Sequence, residues 1–163
     1  MKTQKVEMPY IVVKKKFTIK NTIISALNKT IIFLGLTTQG SFHDYALFKE
    51  EFPPELNWFS LLEIFVDLGY YGIEKDYKEG LINIPHKTPR KSKENPKPEL
   101  TESQKEENTA MSKIRIFIEN AISGIKRYNI LVNKYRNKKD NFEDDIIAIC
   151  SGLWNLRLNS VMV

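Results

Sequence analysis

The sequence predicts an α/β domain, a sheet flanked by helices, and three observations carry that prediction. Short apolar runs rich in β-branched and aromatic residues alternate with segments of helical period, the pattern of a sheet covered by helices. The stretch Ser112–Tyr128 (SKIRIFIENAISGIKRY) places Ile114, Phe117, Ile118, Ala121, Ile122 and Ile125 at i, i+3, i+4, i+7 spacing, one long helix with a core to lie on. The 163 residues suffice for one sizeable core and leave little room for a second.

Tyr10–Lys20 and Thr30–Thr37 read as neighbouring strands, with Asn28-Lys29 in the turn between them. Past Lys16 the first alternates, Phe17 and Ile19 to one face, Thr18 and Lys20 to the other. The second is almost continuously apolar and is expected to be covered on both faces until Gly40-Ser41 breaks it. A short helix from about His43 to Glu51 stops at Pro53-Pro54, which cannot continue it. Leu61–Val66 is short and apolar enough for a buried strand; it ends on Asp67, and a helix from about Tyr71 to Tyr77 follows. Leu81–Ile84 adds a strand closed by Pro85.

Residues 86–100 change texture. Pro89, Pro96 and Pro98 forbid regular structure, and Lys87, Arg90, Lys91, Lys93 and Lys97 make a long basic loop, expected to be flexible. Thr101 and Gln104 then form a capping box, each side chain reaching the other's backbone amide. The helix so opened leads, across a break near Ala110–Ser112, into Ser112–Tyr128. After the basic connection Asn129–Lys139, a last helix starts near Asn141. Glu143, Asp144 and Asp145 suit its positive N-terminal end, and Ile146, Ile149, Cys150 and Leu153 form its apolar stripe.

Composition narrows the function classes. Hydrophobic residues at 42% and charged ones at 28% are those of a globular chain, which excludes a mainly disordered one. The net charge of +5 makes nucleic acid a plausible partner. One cysteine, Cys150 in an apolar run, excludes an internal disulfide. MKTQKVEM has no apolar signal core, and no apolar run nears the roughly 20 residues of a membrane span, so a soluble cytoplasmic protein with no membrane partner is expected.

Three places carry candidate chemistry. At about 100° per residue, Arg115, Glu119 and Lys126 share one edge of their helix's apolar stripe, where the helix meets what it packs on. Taken alone this favours a structural ion pair over a site, although Arg four residues before Glu is the weaker order. Asp67 sits at the carboxyl end of its strand, the edge where open α/β sheets place ligands, or else caps the next helix. The basic loop is a solvated linker or a phosphate-binding arm. There is no internal repeat, Gly-rich phosphate loop or zinc-ligand spacing.

Several blocks together resemble a known family. GSFHDYALFKE (Gly40–Glu50), VDLGYYG (Val66–Gly72), INIPHKTPRKS with LTESQKEEN, RIFIENAISGIKRYNIL (Arg115–Leu131), and KYRNK with LWNLRL occur in the order of DDE superfamily transposases, the bacterial insertion-sequence group related to Harbinger elements. The resemblance implies a ribonuclease-H-like fold, a mixed sheet flanked by helices, over nearly the whole chain. It implies that Asp67 is the second catalytic and metal-binding acid and Glu119 the closing one, with His43 and Asp44 supporting. It implies two Mg²⁺ or Mn²⁺ ions as cofactors in the complete site, and transposon-end DNA as partner. Arg115, Lys126, Lys87, Arg90 and Lys91 then become DNA-binding cations.

The family's first aspartate lies upstream of the segment matching Tyr10–Lys20 and by its usual spacing would precede Met1. Glu7 is the only acid before Tyr10 and sits too close to the strand to replace it comfortably. The resemblance therefore implies a single partial domain over 1–163, the carboxy-terminal portion of a transposase, lacking the first, central strand and the amino-terminal DNA-binding helices. Such a chain, a truncated copy or one half of a split reading frame, is expected to cleave poorly alone. It would need an amino-terminal transposase segment or homo-oligomerisation, or else act as a non-catalytic DNA-binding competitor of full-length transposase.

Overall fold

A computed structural model describes residues 4–7, 19–93, 95–133 and 139–160. Its strands and helices are, in chain order, β1 (Gln4–Glu7), β2 (Ile19–Lys20), β3 (Ile23–Ala26), β4 (Ile31–Leu34), β5 (Thr38–Gln39), α1 (Asp44–Glu51), β6 (Leu62–Phe65), α2 (Ile73–Asp76), β7 (Leu81–Asn83), α3 (Glu102–Ile125) and α4 (Phe142–Ser160). Single 3₁₀ turns follow β6 at Leu68–Tyr70 and α3 at Asn129–Leu131.

Five strands form one mixed sheet in the order β4-β3-β1-β6-β7. β1 runs antiparallel to β3 and parallel to β6, with Glu7 opposite Ser25 on one side and Phe65 on the other. A central strand is thus present, which corrects the expectation that it is lacking. Gln4–Glu7 has no apolar alternation to announce it; central position is satisfied by backbone pairing on both edges, which such a sequence does not display. β2 pairs with β5 in a separate two-stranded ribbon. Of the expected strand Tyr10–Lys20, residues 8–18 lie outside the described residues. The hairpin turn falls at Asn28-Lys29 as expected, with Lys29 at φ 71°, but the strand entering it is β3.

The sheet buries side chains on both faces. Ile24, Phe48, Phe52, Phe59, Ile64, Val66, Tyr70, Ile73 and Tyr77 form one core beneath α1. Ile23, Ile31, Ile118, Ala121, Ile122, Ile125 and Trp154 form another beneath α3 and α4. Adjacent Ile23 and Ile24 serve opposite cores because successive strand side chains alternate. A bulge in the β3–β4 pairing leaves Ile32 without an opposite residue and 54% exposed, so β4 is not covered on both faces as expected.

The capping box holds, Thr101 Oγ1 accepting from the Gln104 amide and Gln104 Oε1 from the Thr101 amide. From it α3 runs 24 residues without the expected break. The hydroxyls of Thr109 and Ser112 donate to carbonyls four residues back, which keeps them from competing with the helix. The helix expected from Tyr71 to Tyr77 is present as the four-residue α2, starting only after Gly72 at φ 99°.

α4 presents a different face from the one its apolar period suggested. Cys150, Ser151 and Trp154 are buried, while Ile149 is 57% and Leu153 44% exposed. Polar anchors fix that rotation. Trp154 Nε1 donates to the Lys29 carbonyl, and Asn155 both donates to and accepts from Ile31, closing the edge of β4. Asp144 accepts from the Thr37 amide. Where α3 and α4 meet, a Cβ on Gly124 would lie 2.4 Å from the Trp154 ring. Because that ring is pinned, Gly124→Ala is expected to cost about 1–3 kcal/mol by overpacking, measured as a lowered urea midpoint.

Candidate functional site

The candidate site lies at the carboxyl end of the parallel pair β1 and β6. Asp67 follows β6 by two residues, and Phe65 is level with Glu7, so the two strands deliver their ends to the same edge. Asp67 precedes the 3₁₀ turn but makes no side-chain cap bond. Its Oδ1 lies 3.4 Å from Arg115 Nη1, and Arg115 Nη2 lies 3.7 Å from Glu119 Oε1. One guanidinium therefore stands between a strand-end acid and a helix acid, and both carboxylates keep access to water, at 31% and 52% exposure.

The sequence spacing dictates this placement. Ile118, Ala121, Ile122 and Ile125 turn one face of α3 to the sheet, which leaves Arg115 and Glu119, one turn apart, at the margin beside β6. Lys126 sits at the C-cap of α3, seven residues beyond Glu119, or about 10 Å along the axis. It shares that edge and flanks the acids at a distance.

Asp44 begins α1 and accepts from Lys20 Nζ at 2.6 Å; the same ammonium also donates to the Phe42 carbonyl. A Cβ on Gly69 would lie 3.8 Å from Asp44 Oδ2, so this pair abuts the turn after Asp67. His43 occupies the N-cap of α1 with no side-chain cap bond. Lys87 stands 5.2 Å from the Tyr71 ring centre, close to the same turn. The root of its loop is clamped to α3: the His86 amide donates to Asn108 Oδ1, Asn108 Nδ2 donates to the His86 carbonyl, and His86 Nε2 lies 2.6 Å from Glu107. Arg90 and Lys91 are exposed on the loop, and no ion pair joins either to Asp67 or Glu119 among the described residues.

Sequence reasoning missed Lys20 and Tyr70. Lys20 is one of five lysines within Lys14–Lys20 and Lys29 and only the fold singles it out, at 7% exposure. Burial, then the charges of Asp44, Glu51 and Asp67, pushes the Tyr70 hydroxyl well above the usual phenol range, so it stays protonated among three acids. No hydrogen-bond partner meets that hydroxyl among the described residues.

Asp67 and Glu119 are hard oxygen donors of the kind Mg²⁺ or Mn²⁺ requires, and their chemistry fits one such ion with several retained waters. No group of three metal-ligating side chains occurs among the described residues. None of the described helices is long and apolar enough to cross a membrane.

A family model described as DDE superfamily endonuclease matches residues 2–155. The chain is 34% identical over 138 residues to a protein of Microchaete diplosiphon named "Probable transposase for insertion sequence element IS702". That alignment covers 83% of this chain and 45% of the relative, so the chain spans about half the length of the curated relative it matches. No solved structure matches.

One acid near the site bears directly on stability. Burial raises the Glu51 carboxyl above its usual range, the nearby Thr22 hydroxyl partly offsets this, and Glu50 adds to it. No hydrogen bond reaches either Glu51 oxygen among the described residues, so burial dominates. A folded-state pKa raised this way costs stability as pH rises through it. Glu51→Gln is therefore expected to raise the thermal midpoint at pH 7, the gain vanishing below about pH 4.5, where the carboxyl is protonated in both states. A fall at pH 7 would contradict this.

Proposed function

The chain belongs to the DDE superfamily endonucleases, and we propose that it is the carboxy-terminal part of a transposase catalytic domain, acting in DNA transposition. The sheet order, an antiparallel hairpin on one side of β1 and parallel strands on the other, supports a ribonuclease-H-like reading with a partial domain over 1–163. The observation that carries the proposal is the pair of acids Asp67 and Glu119, from a strand end and a helix, on either side of the Arg115 guanidinium.

In this reading Asp67 and Glu119 are the metal-binding and catalytic acids. A bound divalent ion supplies charge stabilisation for in-line displacement at a phosphodiester. Arg115 neutralises the two acids until a cation takes them, and can then turn to a phosphate. Lys126 extends the cationic edge along α3, and Lys87, Arg90 and Lys91 carry it into the loop, so the DNA backbone would run across this face. Lys20 neutralises Asp44, and the pair steadies the turn that aims Asp67, which makes His43 and Asp44 supporting residues. Transposon-end DNA is the partner, with a separate amino-terminal transposase segment or further copies of the chain completing the assembly in the cytoplasm.

Two acids hold one ion weakly and lack a bridge for a second, so the chain alone is proposed to cleave DNA poorly. The presence of β1 changes the remedy. The sheet needs no further central strand, so a supplied segment would contribute the first acid and not a strand. A non-catalytic DNA-binding role is the second reading, favoured by Arg115 already neutralising both acids.

Manganese binding to the purified chain, followed by electron paramagnetic resonance, tests the site, and nicking of supercoiled DNA in Mg²⁺ or Mn²⁺ tests the activity. The expected outcome is measurable binding, weakened about 10–100-fold by Asp67→Asn or Glu119→Gln, with at most slow nicking that both substitutions abolish. Robust nicking indifferent to both would overturn the reading; DNA binding without metal binding would favour the second.

A further inference from the structure

We propose that Asn108 is a positioning residue, which fixes the root of the basic loop so that Lys87 meets a DNA phosphate from one set place. The later cations of the loop then act through charge alone. The proposal rests on the reading of Lys87, Arg90 and Lys91 as DNA-binding residues and adds what orders them.

A side-chain amide sets a carbonyl acceptor beside an N–H donor, as a peptide group does, and Asn108 uses both on a single residue. Its Oδ1 accepts from the His86 amide at 2.7 Å, and its Nδ2 donates to the His86 carbonyl at 3.0 Å. This is the pairing a neighbouring strand would supply. The His86 ring adds a third tie, Nε2 lying 2.6 Å from Glu107, whose other oxygen accepts from Ser103. Within a helix asparagine is among the less favourable residues, because its side chain competes for backbone groups. The two bonds to His86 account for one in the first half of α3.

The helix relates that tie to the acids. At about 100° per residue Asn108 falls within about 20° of both Arg115 and Glu119, and about 10 Å before Arg115 along the axis. One edge of α3 therefore carries the loop root and the site. On the other side Ile82 and Ile84 pack on the core beneath α1, so His86 joins the end of β7 to that edge. Lys87 is the first residue beyond the tie, and its ammonium lies 5.2 Å from the centre of the Tyr71 ring, four residues after Asp67. That ring is 65% exposed, a weak hold that a phosphate displaces. Arg90, Lys91 and Lys93 follow Pro89 and are exposed, with no side-chain bond holding them among the described residues. Lys87 alone of these four has both its backbone and its charge placed.

A double-mutant cycle on the full chain tests this, read as binding of a fluorescein-labelled DNA duplex of about 20 base pairs in EDTA, between about 50 and 200 mM salt. Lys87→Ala is expected to weaken binding about 5–10-fold and to lower the salt slope by about 1, the loss of one phosphate contact. Asn108→Ala is expected to do the same although it removes no charge. With Asn108→Ala already present, Lys87→Ala then costs less than about twofold, while Arg90→Ala costs what it costs in the unaltered chain. Arg90 also controls for folding, since an unfolded variant would lose its contribution too. Unchanged binding by Asn108→Ala, full additivity with Lys87→Ala, or equal coupling to Lys87 and Arg90 would each overturn the proposal. Binding absent from the unaltered chain, or untouched by Lys87→Ala, would overturn it together with the place of Lys87 on the DNA face. Additivity alone leaves that place intact, and no result here bears on metal binding by Asp67 and Glu119.

Discussion

The distance between Asp67 and Glu119 is set by apolar packing, and the ion pairs that join them follow from it. Ile118, Ala121, Ile122 and Ile125 are all nearly or wholly buried against the sheet, and each isoleucine contributes about 1.5–3 kcal/mol by leaving water. The contacts of Arg115 to the two acids, at 3.4 and 3.7 Å with both acids partly exposed, belong to the class worth about 0–1 kcal/mol each. The scaffold thus holds the acids in place whether or not Arg115 is between them. On the proposed reading, a cation could then take the guanidinium's place between the acids without the helix moving.

The same principle explains how the sheet tolerates a short polar strand at its centre. β1 contributes only four residues, but β3 and β6 supply backbone partners on both edges while the flanking strands bring the apolar side chains. The outer edge of β4 is closed by Asn155, whose amide replaces a missing neighbour for Ile31. Trp154 and Gly124 then lock α4 to α3.

What could be read from the residues is what depends on neighbours in sequence. The capping box at Thr101, the turn at Asn28-Lys29, the strand just before Asp67 and the part of the α3 stripe from Ile118 to Ile125 are each written within a few positions, whereas Phe117 of that stripe is exposed. Features decided by distant partners were not legible. β1 lacks apolar alternation, so its place depends on strands about 20 and 60 residues away. Lys20 looks like any other lysine until Asp44 meets it. α4 offers two apolar faces, and the choice between them falls to hydrogen bonds from Trp154 and Asn155 to a hairpin more than a hundred residues earlier. Of the site, the acids and the cation between them were visible, whereas the clamp of His86 by Asn108 and the buried hydroxyl of Tyr70 were not.

The charges around the site are balanced unevenly, and the imbalance has a direction. Asp44 is matched by the nearly buried Lys20, while Asp67 and Glu119 share the single guanidinium of Arg115. Glu51 is buried with no cation beside it among the pairs described, and the Tyr70 hydroxyl stays neutral among acids. Negative charge therefore exceeds positive charge in the interior behind Asp67. An added cation at that edge lowers the electrostatic cost of every one of these carboxylates at once, including those it never touches. Arg115 offsets part of that cost in the free chain, and a divalent ion with twice its charge offsets more. On the proposed reading, the interior behind Asp67 would favour the exchange of a guanidinium for a divalent ion, with the basic loop beyond it available for phosphate.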